Sequence, residues 1–136
     1  MSVLLDTSFL IALMNAEDKN HGKAISLRDR IKDKEFGAAC LSDYIFDEFV
    51  TFLRARGVAA DKIRDAGDSL LADQTIRMLP VSPSIFHESW TQFKKASRLS
   101  FTDCTSLVLA REFGIGSIAS YDSGFDGFSG AKRIEA

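Results

Sequence analysis

The sequence predicts an α/β fold whose core is a mostly parallel sheet of four to five strands. Two observations carry this. Val3-Leu4-Leu5 is an aliphatic run without polar alternation, the mark of a strand covered on both faces. Strand-like runs of this kind alternate with longer segments of helical spacing almost throughout the chain, as βαβ crossovers require.

The first strand runs straight into Asp6. Thr7-Ser8 offers a cap for a helix through the apolar run that ends at Leu13. A polar cluster, Asn15-Ala16-Glu17-Asp18-Lys19-Asn20, reads as a connection. A second helix over 21–34 carries Ala24, Leu27, Arg28 and Ile31 at helical spacing, and 36–41 is a short strand. Ser42 is placed to cap a strong helix over 43–56, which Gly57 stops. Another amphipathic helix over 59–73 has Ile63, Ala66, Gly67, Leu70 and Leu71 on one stripe. Residues 75–81 form a third strand, closed by Pro80 and Pro83. A helix over 84–98 is expected to bury Ile85, Phe86, Ser89, Trp90 and Phe93. Thr102 is expected to cap a helix over 103–113 that Gly114 ends. Residues 116–120 make the fourth strand. A loop rich in Gly, Asp and Ser follows, then a fifth strand over 131–134 at the sheet edge.

A chain of 136 residues suits one domain. With 46% hydrophobic residues and 11 phenylalanines it has ample material for a core. No apolar run approaches the roughly 18 residues of a membrane span. The N-terminus lacks the basic segment of a signal peptide, and Asp6 interrupts its apolar stretch. Cys40 and Cys104 sit in apolar contexts without a CxxC pattern, so they read as reduced core thiols of a cytoplasmic protein. His21 and His87 read as surface residues. A net charge of −2 gives no general attraction to nucleic acid, so a polyanion would need local basic patches or bound cations.

Four acids fall where a reaction centre would form. Asp6 ends the first strand, on the sheet edge where ligands gather in open α/β folds, although an N-cap explains an aspartate there equally well. Glu48 lies at the edge of the apolar arc made by Ile45, Phe46, Phe49, Val50, Phe52 and Leu53, where a carboxylate must find a donor, a cation or the rim. Asp103 begins a helix that is apolar nearly all round and continues the stripe of Leu107 and Ala110. A helix dipole favours an acid there but does not require it on a buried stripe. Asp122 follows the fourth strand as Asp6 follows the first, with an Asx turn as the structural alternative, and Asp126 reads as a turn residue. Carboxylates gathered together raise one another's pKa unless a cation sits among them, and hard oxygen ligands favour Mg²⁺ or Mn²⁺ over zinc.

In these residues the chain resembles the PIN-domain ribonucleases, particularly the small toxins of the VapC type, over essentially its whole length. Asp6-Thr7-Ser8 is similar to the family's opening acid motif, Glu48 to its helical glutamate and Phe101-Thr102-Asp103 to its third acid. Ser120-Tyr121-Asp122 with Phe125 is similar to the fourth, where the loop also offers Asp126. The resemblance implies a three-layer α/β/α PIN-like domain spanning residues 1–136 and metal-dependent endonucleolytic cleavage of RNA. It implies Asp6 and Asp103 as Mg²⁺ ligands, Asp122 completing the site, and Glu48 as a ligand or as the group that orients a water. Thr7, Ser8 and Ser120 would support these acids. It further implies products with a 3′-hydroxyl and a 5′-phosphate, a VapB-like antitoxin laying an apolar segment in a groove near the acids, and a homodimer. Arg54 and Arg56, and Lys94, Lys95 and Arg98, are candidates for phosphate contacts. No stacking signature of alternating aromatic and basic residues marks the RNA path.

The alternatives are a housekeeping RNA-processing nuclease of the same fold and a module that binds RNA or a partner without cutting. A phospho-receiver would need adjacent acids after the first strand, where Thr7 and Ser8 stand, and an aspartate ending the third, where Met78-Leu79-Pro80-Val81 has none. A haloacid-dehalogenase phosphatase would need Asp in place of Ser8. The glycine fingerprints of dinucleotide and P-loop folds are absent from the sequence.

Overall fold

In the computed structural model, which describes residues 1–128 and 130–136, Val3, Leu4 and Leu5 lie in the middle of a five-stranded sheet. The strands are β1 (Ser2–Leu5), β2 (Ala38–Ser42), β3 (Ile76–Leu79), β4 (Ser117–Ala119) and β5 (Lys132–Ile134), in the order β3-β2-β1-β4-β5. Every pairing is parallel: Leu4 stands opposite Cys40 on one side and Ile118 on the other. A strand with neighbours on both edges and helices over both faces needs side chains apolar in each direction. Val3 and Leu4 are fully buried accordingly.

Among the described residues six α-helices join the strands: α1 (Thr7–Met14), α2 (His21–Lys32), α3 (Asp43–Ala55), α4 (Ala60–Ala72), α5 (Pro83–Lys95) and α6 (Phe101–Glu112). From β1 the chain moves outward to β2 and β3, then returns past β1 to β4. The strand order therefore reverses between β1 and β4, and a crevice opens at the carboxyl ends of that pair. Asp6 and Ser120, the residues just beyond those two strands, both stand there. At the opposite edge, Gly37 has φ +81°, and a Cβ on it would lie 1.9 Å from the Met1 carbonyl oxygen. Only glycine lets the chain enter β2 so close to the start of β1.

The alternation read from the sequence holds, and both cysteines are free and buried. Ser42 caps α3 by accepting from the Ile45 N–H. Several local expectations need correction. Neither Thr7 nor Ser8 caps α1; Asp6 occupies the cap position, and its side chain makes no cap bond. Ser100, not Thr102, caps α6: its hydroxyl accepts from the Asp103 N–H while the Asp103 carboxylate accepts from the Ser100 N–H, a reciprocal pair that starts the helix earlier than expected. His21 is only half exposed, with Nδ1 against the Ala12 carbonyl at 2.8 Å.

The aromatic face of α5 is the largest departure. Ile85 and Ser89 are buried, but Phe86, Trp90 and Phe93 remain 42%, 49% and 36% exposed. The small Ser89, its hydroxyl donated to the Ile85 carbonyl, marks the buried stripe of the helix. Phe86 and Phe93 instead lean on Phe101, with ring centres 5.1 and 6.1 Å away, and Trp90 stacks on Phe93. Leu71, expected on the buried stripe of α4, is also exposed. Of the loop after β4, Ser129 lies outside the described residues. Among the described residues no helix is long and apolar enough to cross a membrane.

Candidate active site

Asp6 is 3% exposed, and its pKa is raised because burial penalises the charged form. Oδ2 accepts hydrogen bonds from Ser120 Oγ at 2.7 Å and Ser8 Oγ at 2.9 Å, which act in the opposite direction. Oδ1 is fully buried without a hydrogen bond. An aspartate there only to start a helix would turn its carboxylate to the free N–H groups of the first turn. This one makes no cap bond and reaches Ser120 at the end of β4, although the Thr7 and Ser8 N–H groups stand near enough to lower its pKa as well.

Asp103, 8% exposed, is pushed up to about 6 by burial first and by Asp6 next, with Asp122 and Glu48 adding to the rise. The Ser100 N–H, which donates to Oδ2 at 3.1 Å, pulls it down. Asp103 therefore does serve its helix start, but with one oxygen only. Glu48, half-buried on α3, is raised by burial, and Asp6, Asp47 and Asp122 raise it further. Thr7 Oγ1 donates to Glu48 Oε1 at 2.5 Å and holds it down, so α1 and α3 meet through this bond. Asp122 is exposed at the end of β4. Its N–H donates to Ser120 Oγ and its Oδ1 accepts from the Gly124 N–H at 2.8 Å, an Asx turn that opens a single 3-10 turn (Ser123–Phe125).

The four acids named from the sequence thus occupy one electrostatic neighbourhood, with Asp6 and Glu48 held by the hydroxyls of Ser8, Ser120 and Thr7 and with Asp103 and Asp122 held by backbone N–H groups. Asp126 does not join them: both its oxygens accept from Arg133 on β5. Sequence reasoning missed Ser100 and Arg133. The former was legible as the first half of an S-x-x-D capping pattern with Asp103, whereas a lone arginine on an edge strand gave no signal.

The basic candidates divide. All five are exposed. Arg98 lines a small cavity of about 210 Å³ with Ser123, Gly124 and Phe128, directly beside the Asp122 loop. Lys94 and Lys95 end α5, five residues before α6 begins, and Lys94 lies over the Trp90 ring. Arg54 and Arg56 sit at the far end of α3, roughly 9–12 Å along the axis from Glu48, where Arg56 rests on Phe52.

The residues fit a divalent ion in chemistry, though not as a closed cage. Among the described residues no three acidic, histidine or cysteine side chains enclose an ion. Each of the four carboxylates has one oxygen held by a hydroxyl or N–H and a second free of side-chain bonds among the described residues. Hard, mutually repelling oxygens and one buried oxygen without a partner are what a hard cation satisfies.

The profile of the PIN domain family matches residues 3–130. Among characterised proteins the chain is similar to the VapC ribonuclease of Archaeoglobus fulgidus, 23% identical over 128 residues, spanning 92% of this chain and 80% of that protein. It is also similar to the 23S rRNA-specific endonuclease VapC20 of Mycobacterium tuberculosis, 26% identical over 125 residues, 90% of this chain and 91% of the relative. The crystal structure of that toxin, described as cleaving the sarcin-ricin loop, superposes with a TM-score of 0.81 over 98% of both chains at 25% identity. A VapBC2 structure from Rickettsia felis shares the fold, with a TM-score of 0.71 over 98% of both chains at 11% identity.

Proposed function

The chain belongs to the PIN-domain family, and from that premise we propose that it is a metal-dependent endoribonuclease, the toxin of a VapBC-type pair acting in the cytoplasm. The observation that carries the reading is the convergence of Asp6, Glu48, Asp103 and Asp122, with Asp6 Oδ1 buried and unpartnered. Asp6, Asp103 and Asp122 would hold Mg²⁺, or Mn²⁺ in its place. The bound ion would polarise a phosphoryl oxygen and lower the pKa of an attacking water, so no side-chain nucleophile is needed.

The chain's own residues do the rest. Ser8 and Ser120 aim Asp6 by fixing Oδ2, which leaves the buried Oδ1 without a partner. Thr7 fixes one Glu48 oxygen and leaves the other to take a ligand water or receive its proton. The Ser100 N–H keeps Asp103 from turning away. Arg98, beside the Asp122 loop, would neutralise an RNA phosphate at the crevice, and Lys94, Lys95, Arg54 and Arg56 would reach phosphates farther along the strand. The whole chain forms one PIN domain in this reading, and two copies pair. The exposed Phe86, Trp90 and Phe93 offer apolar area for that contact.

The antitoxin has a fitting place. A cavity of about 420 Å³ between α1, α2 and α4 is lined by Phe9, Leu10, Leu13 and Leu70, with Lys32 and Lys34 beside it. An amphipathic segment with apolar residues on one face and acids on the other suits it. Leu5, the residue before Asp6, also lines it, together with Ala39 and Ile76 at the entry to β2 and β3.

The deciding experiment incubates purified protein and its Asp103→Asn variant with ribosomal RNA and other structured RNAs in Mg²⁺. Discrete cuts by the first and none by the second are expected. Absence of cutting by the wild type, together with equal growth of cells expressing either form, would end the nuclease reading. Leu13→Asp should release a co-expressed antitoxin while leaving cleavage intact.

A further inference from the structure

A polar cluster around β5 takes no part in the proposed reaction. Arg133 on β5 has a side chain only 16% exposed. Its Nε and Nη2 donate to the two oxygens of Asp126 at 2.8 and 3.0 Å. Its Nη1 donates to the Ser120 carbonyl at 3.3 Å and to Glu135 Oε2 at 2.6 Å. Ser120 is the last residue before the loop that bears Asp122, and Asp126 is the residue on which its 3-10 turn closes. One guanidinium therefore ties both ends of the segment 120–126.

Asp122 itself makes no bond outside its own segment among the described residues. It is exposed, and its own bonds, to Ser120 Oγ and from the Gly124 N–H, are internal to that segment. They shape the turn without fixing where it stands over the sheet. The start of the segment is tied to α1, where the Tyr121 N–H donates to Ser8 Oγ at 2.9 Å, and to Asp6 through Ser120 Oγ, and the buried Phe125 pins its middle; the far end, at Asp126, is left to Arg133. A fork bound to the sheet through β5 and gripping the loop at two points fixes that end.

We infer that Arg133 is a positioning residue: with Asp126 as its anchor it sets the place of Asp122 relative to Asp6 and Asp103, and so tunes how tightly the site grips its cation. This rests on the proposed metal-dependent activity. It also gives Asp126 a role, as the fastener of the loop in place of a fifth ligand. An exposed ion pair with no further task would add little to stability and nothing to the site. A lysine keeps the charge of Arg133 but cannot make the fork.

The test uses Arg133→Lys, Asp126→Asn and the double variant in the full chain, with Asp103→Asn as reference. Three quantities are read: hydrogen exchange of the 121–126 amides without metal, the dissociation constant for Mn²⁺ by calorimetry, and the Mg²⁺ concentration for half-maximal cleavage. Each single variant should speed exchange in 121–126 and leave β1 and β4 protected. Each should weaken Mn²⁺ and raise the Mg²⁺ requirement by about 10–100-fold, the range for groups that orient ligands. Cleavage should recover largely at saturating Mg²⁺. The double variant should be no worse than the more affected single, because both remove one fork. If Arg133→Lys binds Mn²⁺ like the wild type where Asp103→Asn has lost it, the clamp is only structural, and the proposed activity stands. A drop in melting temperature with unchanged Mn²⁺ affinity would overturn the inference in the same way. If the wild type itself neither binds Mn²⁺ nor cuts RNA, the activity falls and this inference falls with it.

Discussion

Asp6 and Asp122 follow neighbouring parallel strands, yet the molecule holds them in opposite ways. Asp6 is enclosed, with one oxygen gripped by hydroxyls from α1 and from the end of β4. Asp122 stands in water on a short loop, bonded only within its own turn. The first carboxylate takes its geometry from packing and the second from a loop that something else must hold. Burial fixes position but strains the charge; exposure relieves the charge and leaves position to be supplied. A cation held between the two, as proposed, would need both, a rigid wall and an adjustable one.

Removing a carboxylate from the rigid wall should have the largest effect. Asp6→Asn or Asp103→Asn should lower Mg²⁺-dependent RNA cleavage by about a thousandfold, roughly 4 kcal/mol of lost transition-state stabilisation. Asp122→Asn should lose less. Equal losses in single-turnover assays would break the contrast.

Ser120 is next, because it serves both acids: its hydroxyl donates to Asp6 Oδ2 and accepts from the Asp122 N–H. Ser120→Ala should cost about 10–100-fold in activity and about 1 kcal/mol in stability. Titration of cleavage against Mg²⁺, with denaturation alongside, checks both.

A smaller effect appears without metal. The folded-state pKa of Asp103, about 6, lies above its ordinary 3.8. Between those values the folded protein holds a proton that the unfolded chain has released, so stability falls as pH rises through this window and levels off above it. In EDTA, Asp103→Asn should therefore melt a few degrees above wild type at pH 7–8, a gain of about 1 kcal/mol after allowance for solvent screening. The gain should vanish below about pH 4, where both states of wild type are protonated. Asparagine keeps an oxygen for the Ser100 N–H, so the helix cap survives. Added Mg²⁺ should reverse the order. A lower melting temperature for the variant in EDTA at pH 8 would show that the carboxylate serves only the cap.

The smallest effect separates the basic groups. Arg98→Ser, beside the Asp122 loop, should weaken RNA binding and reduce the slope of log affinity against log salt by roughly 0.7–1. Arg54→Ser, at the far end of α3, should do less in the same fluorescence titration.

The four acids were legible because strand-to-helix junctions can be read locally. An aliphatic run ending in Asp6, and another ending near Asp122, must put both at carboxyl ends if the strands are parallel. Glu48 betrayed itself by lying beside an apolar arc, and Asp103 by heading a helix that is apolar nearly all round. Thr7 bonded to Glu48 was less visible, since 41 residues separate the pair. The exposure of Phe86, Trp90 and Phe93 was hidden for a related reason: helical spacing shows that a stripe exists, but which neighbour covers it depends on how α5 is rotated against α6.

By itself, then, the sequence determined the elements, their alternation, and which acids stand at strand ends and helix starts, because those follow from interactions a few residues long. Tertiary structure alone decided that β4 returns beside β1, that Ser120 reaches Asp6, and that Arg133 takes Asp126 out of the crevice. Those outcomes depend on strand order and on which polar groups find one another once water is excluded, and neither is written in any local run of residues.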